Sequence, residues 1–174
     1  MKGKVRCSPD RRSGSAPPPG PPHVAVVGPS RGEPGALEVA EAVGRALAER
    51  GAVVVCGGLG GAMEAVCRGA KRAGGTTVGI LPGTDRRAAN AFVDVAIATG
   101  LGEARNAVVV RTADAVIAVA GAYGTLSEIA LALAAGKKVV GLDTWTLATA
   151  GGPDEGIVQA CSPEDAVERA LASR

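Results

Sequence analysis

From residue 24 onward the chain alternates short, wholly apolar runs with longer stretches whose apolar positions recur every three or four residues. Val24–Val27 is the first run and stops at Gly28. A helix is predicted over Gly35–Arg50, with Leu37, Ala40, Val43 and Leu47 on one face and Gly51 as its stop. The pattern repeats as a strand at Val53–Cys56, a helix from Ala62 to Ala73, and strands at Thr77–Leu81 and Val93–Ala98. A helix near Glu103–Arg111, a strand at Asp114–Val119, a helix at Leu126–Ala135 and a strand at Val139–Leu142 follow. Ile157–Ala160 reads as a short last strand, and Ser162-Pro163 opens a final helix with Ser as N-cap and Pro at the first helical position. Apolar strands separated by helices predict an α/β protein with a parallel sheet covered on both faces. In such sheets ligands bind beyond the carboxyl ends of the strands, where strand order reverses.

Composition narrows the picture. The 174 residues are 47% hydrophobic, which supports one domain with a real core, yet Phe92, Tyr123 and Trp145 are the only rings. So few aromatics exclude a base-stacking platform for single-stranded nucleic acid. Five of the 19 basic residues lie within residues 1–22 (Lys2, Lys4, Arg6, Arg11, Arg12), against Asp10 alone among the acids. The formal charge of +2 therefore belongs to this segment, and the rest of the chain is net acidic, so no nucleic-acid partner is expected. The segment also holds six of the 11 prolines and reads as a disordered arm preceding a single domain over 23–174. No stretch reaches the roughly 18 apolar residues of a membrane span. Cys7, Cys56, Cys67 and Cys161 form no C-x-x-C pair and read as reduced, inert thiols of a cytoplasmic protein without a metal site.

Three turns after strands carry the candidate chemistry. Gly28-Pro29-Ser30-Arg31-Gly32 matches the G-x-S-x-G nucleophile elbow, but the single histidine, His23, sits at the far end of the same strand. Five extended residues place it roughly 16 Å away, so Ser30 is read as a hydrogen-bond donor to a ligand rather than a nucleophile. Gly57-Gly58-Leu59-Gly60-Gly61 opens a helix, where bare amides and the helix dipole suit an anion. It is not a dinucleotide fingerprint, because Met63 stands at the third glycine position and Ile80-Leu81-Pro82 supplies no acid. Gly121-Ala122-Tyr123-Gly124-Thr125 repeats the arrangement, with Thr125 placed to cap the helix or meet a phosphate and Glu128 in its first turn. Arg105, in Gly102-Glu103-Ala104-Arg105-Asn106, suits a phosphate clamp as well as an ordinary surface arginine. Trp145, in the loop Asp143–Pro153, is expected to pack, with covering the ligand as the alternative.

Together, Gly57-Gly58-x-Gly60-Gly61-x-Met63, Gly102-Glu103-Ala104-Arg105-Asn106 and Gly121-Ala122-Tyr123-Gly124-Thr125-Leu126-Ser127-Glu128 resemble the LOG-like proteins, often labelled lysine decarboxylases, over about residues 23–162. The resemblance implies a Rossmann-like, doubly wound parallel sheet of about six to seven strands in three α/β/α layers. It also implies a homodimer with a phosphate pocket between subunits. LOG enzymes hydrolyse the N-glycosidic bond of nucleoside 5′-monophosphates and carry P-G-G-x-G-T-x-x-E with an upstream M-x-x-R-K. Arg105 and Glu128 match its arginine and final glutamate, whereas Ala120, Ala122, Asn106 and Gly102 replace Pro, Gly, Lys and Met. The forms G-E-A-R-N and G-T-L-S-E are closer to a subgroup similar to molybdenum-cofactor carrier proteins, which bind a phosphorylated pterin without transforming it. A decarboxylase would need a Schiff-base lysine, and Lys2, Lys4, Lys71, Lys137 and Lys138 are all badly placed.

The expectation is thus a protein that binds a phosphorylated nucleotide or pterin, requires no cofactor of its own and carries the molybdenum cofactor, if at all, as cargo. Ser30, Gly57, Gly58, Gly60, Gly61, Gly121, Tyr123, Gly124 and Thr125 would bind the ligand. Nucleotide hydrolysis, with Arg105 and Glu128 as catalytic residues, is the alternative. The stretch Ile129–Ala135 is apolar on every face and is expected to be buried all round, one side of it by a second subunit.

Overall fold

The structure, a computed structural model, describes residues 20–172. Of the predicted N-terminal arm, residues 1–19, with Cys7, lie outside the described residues. The elements run β1 (His23–Val27), α1 (Pro34–Glu49), β2 (Val53–Cys56), α2 (Ala62–Arg72), β3 (Thr77–Leu81), β4 (Val95–Ala98), α3 (Asn106–Thr112), β5 (Ala115–Val119) and α4 (Tyr123–Ala134). They continue with β6 (Lys138–Leu142), β7 (Leu147–Thr149), β8 (Gly152–Asp154), β9 (Ile157–Gln159) and α5 (Pro163–Leu171).

Seven strands form one parallel sheet in the order β4-β3-β2-β1-β5-β6-β9. The chain leaves β1 toward β2, β3 and β4, then returns to lay β5 on the other side of β1, so the switch point lies between β1 and β5. The period of two along each strand divides the core. Val24 and Val26 face a layer made with α1, α2 and α5, around Leu47 and Val66. Ala25 and Val27 face the layer made with α3 and α4, around Val109, Val110 and Ile129. Each fully buried aliphatic side chain contributes about 1.5–3 kcal/mol of transfer free energy.

Small residues let α1 and α2 touch backbone to backbone. A Cβ on Gly44 would come 2.0 Å from the Val66 carbonyl oxygen, and one on Gly69 1.9 Å from that of Glu41. Arg68 and Arg72 close the seam on Glu41, whose carboxyl the Arg68 hydrogen bond holds below the usual carboxylate range. Ser162 Oγ accepts from the Asp165 amide at 3.1 Å and caps α5, as its position before Pro163 predicts.

The structure departs from the sequence pattern in four places. β4 begins at Val95 and is an edge strand, leaving Val95 and Ile97 exposed, because among the described residues no further strand pairs with it. A 3-10 turn at Gly102–Arg105 precedes α3, where one continuous helix was predicted. β7 and β8 pair as an antiparallel hairpin that the pattern does not announce, since Gly151, Gly152 and Pro153 interrupt it. α4 starts at Tyr123, three residues early, and is buried on one side only: Ile129 and Ala132 are covered, while Ala130, Leu131 and Ala134 are exposed. The expectation of a helix buried all round therefore fails within the chain, whose sheet covers one face of α4 and no more. Among the described residues no helix is long and apolar enough to cross a membrane.

Candidate functional site

At the carboxyl ends of the strands, over the switch point, lies a cleft of about 550 Å³. One wall is Gly28-Pro29-Ser30, after β1. A second is Leu59 and Met63, after β2, with Pro82 after β3. Glu103, Arg105 and Asn106 form a third, and Ala122, Tyr123, Gly124, Thr125, Ser127 and Glu128 bring in α4.

Arg105 sits at the floor of this cleft, 9% exposed. Its Nη1 donates to the Ile80 carbonyl at 2.9 Å, while its buried Nε has no partner. Among the described residues no carboxylate forms an ion pair with it. Burial lowers its pKa against the pull of Glu128, but a guanidinium stays charged under any condition the fold survives. Glu128, 8% exposed, is pushed up to about 7, burial outweighing the opposing charge of Arg105. Thr125 is 1% exposed and its Oγ1 is also buried without a partner. Two buried polar groups without partners on one cleft are unusual, because each such group costs about 1–3 kcal/mol unless something completes it.

The predicted glycines separate into two kinds. Gly57, Gly58 and Gly61 make close packing possible beneath the cleft rather than forming its wall. A Cβ on Gly57 would meet Arg105 Nη1 at 1.9 Å, and one on Gly61 would meet the Ser30 carbonyl oxygen at 2.4 Å. The Gly58 amide donates to Cys56 Sγ at 3.3 Å, and the Ala62 amide at the start of α2 donates to the Pro29 carbonyl at 3.0 Å. The loop after β1 thus takes up the first amide of the helix start that the spacing offered to an anion. Gly60 has open space around it but is not in the cleft wall, and Gly121 lies under the Trp145 indole instead. Gly124 does line the cleft, with nothing near its missing Cβ.

The start of α4 opens on the cleft. Ala122 is its N-cap and no side chain caps it. Tyr123, Gly124 and Thr125 are its first three residues, so the helix itself cannot use their amides. Thr125 is therefore not the cap its spacing suggested, and Glu128 falls in the second turn.

The turn before α4 has a conformation the LOG signature cannot adopt. Ala120 has φ +51°, and its amide donates to the Leu142 carbonyl at 2.9 Å. Proline is fixed near φ −65° and has no amide hydrogen, so the signature's proline does not fit this backbone. Sequence reasoning missed Met63, Glu103, Asn106 and Ser127 as cleft residues, although all four stand inside the three quoted motifs. Cys56 and Cys67, buried below the cleft, bring their sulfurs to 3.5 Å as free thiols. The Cys67 hydrogen bond lowers the pKa of Cys56, and that bond, with burial, raises that of Cys67.

A three-layer α/β/α sheet with its cleft at the switch point defines a Rossmann-like protein. The chain belongs to the SLOG cluster4 family, whose model matches residues 21–167, in keeping with the LOG-like resemblance. It is similar to the molybdenum cofactor binding protein of the phototrophic bacterium Rippkaea orientalis, at 37% identity and a TM-score of 0.77, over 85% of this chain and 94% of that one. The molybdenum cofactor carrier protein of Chlamydomonas reinhardtii superposes with a TM-score of 0.72 at 32% identity, over 84% of this chain and 94% of that one. A cytokinin riboside 5′-monophosphate phosphoribohydrolase of Mycobacterium marinum is 37% identical over 128 residues, which are 72% of this chain but only 62% of that enzyme.

Proposed function

We propose that this protein binds a phosphorylated small molecule, a pterin or nucleotide, and holds it unchanged as a carrier. One observation carries the reading: Arg105 and Thr125, each with a buried polar atom (Nε, Oγ1) that has no partner, line one cleft with the uncapped start of α4. A charged guanidinium without a carboxylate partner, a hydroxyl and a helix start are the donor set that a phosphate completes. Ser30 stands on the opposite wall, where it can meet the remainder of the ligand. The molybdenum cofactor, a phosphorylated pterin, would then be cargo, in line with the two similar proteins described as binding or carrying it.

Hydrolysis of nucleoside 5′-monophosphates is the second reading, and Glu128 favours it. A carboxyl whose pKa lies near 7 can hold or release a proton at neutral pH, as acid–base chemistry at a glycosidic bond requires. The left-handed Ala120 weighs against it, since this turn differs from the one the enzyme signature builds.

One assay separates the two. Purified protein is incubated with AMP and a prenylated AMP, and free base and ribose 5-phosphate are measured. The carrier reading expects no release together with binding of the pterin cofactor. Release that disappears in Glu128→Ala would establish the hydrolase instead. If neither nucleotides nor the cofactor raise the melting temperature, the phosphate site itself is wrong.

A further inference from the structure

Beside the phosphate cleft, and separated from it by one step of backbone, is a second cleft of about 520 Å³ lined by Gly121, Asp143, Thr144, Trp145 and Thr146. Gly121 belongs to this cleft and Ala122 to the first. Two of the three aromatic rings in the chain meet here: Tyr123 and Trp145 lie with centroids 5.8 Å apart at an interplanar angle of 35°. Tyr123 is 82% exposed and lines the first cleft, while the indole lines the second.

The indole is held in place. Its Nε1 donates to the Ala122 carbonyl at 3.3 Å, and it rests on Gly121, where any Cβ would lie 2.6 Å from Nε1. Thr144 Oγ1 donates to the Ala120 carbonyl and ties the two loops together. Both strands that deliver these loops end in a left-handed residue other than glycine, Ala120 after β5 (φ +51°) and Asp143 after β6 (φ +48°). Residues kept in such conformations concentrate where a particular orientation of the chain is needed. Asp143 is exposed, and among the described residues its carboxylate has no hydrogen-bond or ion-pair partner.

Resting on the phosphate reading above, we infer that this second cleft is the ring subsite of the same ligand, and that it selects a 2-amino-4-oxopyrimidine edge. A fixed indole offers a flat apolar surface to a fused heterocycle. A carboxylate beside it accepts two parallel hydrogen bonds from the ring N–H and the adjacent amino group, the same fork geometry that pairs carboxylates with guanidinium. Guanine and pterin both present that edge. Adenine presents an acceptor nitrogen next to its amino group and so would face the carboxylate with a lone pair. Hypoxanthine keeps the ring N–H but lacks the amino group.

Trp145 is the sole tryptophan, so its fluorescence reports on this indole and its surroundings. The probes are GMP, AMP, IMP and ribose 5-phosphate, titrated by fluorescence and by calorimetry. Expected is that GMP quenches Trp145 and binds about tenfold more tightly than AMP or IMP, while ribose 5-phosphate binds without quenching. Asp143→Asn tolerates the same left-handed backbone and should remove the preference for GMP while leaving ribose 5-phosphate affinity unchanged. Equal binding of GMP, AMP and IMP, or a GMP preference that survives Asp143→Asn, overturns the ring subsite even if ribose 5-phosphate binds. If GMP binding depends on Asp143 but ribose 5-phosphate does not bind, the ring subsite stands and the phosphate reading falls. If none of the four binds, both fall.

Discussion

The guanidinium of Arg105 occupies the space that a side chain at Gly57 would fill: a Cβ there would lie 1.9 Å from Nη1 and 2.6 Å from Met63 Sδ. The glycine turn after β2 therefore positions an arginine delivered from nearly fifty residues further along the chain. Gly57→Ala should displace Arg105 from the Ile80 carbonyl and destabilise the fold by about 1–3 kcal/mol, the usual range for overpacking. Ribose 5-phosphate binding should be lost in the same variant while it remains folded. Calorimetry beside a denaturant melt reads both, and retained affinity would show that Gly57 does not set the position of Arg105.

Glu128 gives stability a pH dependence. Its folded pKa, near 7, lies above the ordinary value of 4.5, so the folded state binds the proton more tightly than the unfolded one. The stabilisation is complete below pH 4.5 and is lost as pH rises through 7. Glu128→Gln removes this dependence. Relative to that variant the native protein should lose up to about 3 kcal/mol across the window, with parallel curves below it. Chemical denaturation at a series of pH values tests it, and parallel curves throughout would place the Glu128 pKa at its ordinary value.

Restoring the enzyme signature at position 120 should fail on backbone grounds. Ala120→Pro conflicts with φ +51° and deletes the hydrogen bond to the Leu142 carbonyl, and should cost about 3 kcal/mol or more. Ala120→Gly relieves the left-handed backbone and should be neutral or stabilising by up to about 1 kcal/mol, the gain being reduced by glycine's greater freedom when unfolded. Urea midpoints of the two variants, falling on opposite sides of the parent or nearly so, are the expected result.

The exposed side of α4 carries Ala130, Leu131 and Ala134 at helical spacing, and this is where the dimer implied by the LOG-like resemblance would bury its face. The chain should sediment as a dimer at micromolar concentration, and Leu131→Arg as a monomer. Sedimentation of the parent as a monomer would remove the dimer expectation.

Much of this fold is legible in the sequence because its signals are local. Val24–Val27, Val53–Cys56 and Val139–Leu142 are uninterrupted β-branched or apolar runs, and Ser162-Pro163 is a capped helix start that depends on nothing distant. What fails depends on context. Val95 and Ile97 have the composition of a buried strand, and only their place at the sheet's edge exposes them. Gly124 reads as a turn residue, yet it stands inside the first turn of α4, where nothing crowds it. At the site, Ser30, Arg105, Tyr123, Gly124, Thr125 and Glu128 are recoverable from motif order and do line the cleft. The role of Gly57 is not recoverable, because it is set by a side chain from a different part of the chain.

The crossover at β1 also has a kinetic side. Ser30 and Met63 come from the half of the sheet built outward on one side of β1, while Thr125 and Glu128 come from the half that begins only when β5 docks on the other. Residues about one hundred positions apart must meet before the cleft has two walls, and closing so long a loop is slow compared with forming any one helix. On the proposed reading, a ligand held by both walls binds only once β5 has docked, so ligand present during refolding should act on a nearly finished sheet rather than guide its assembly.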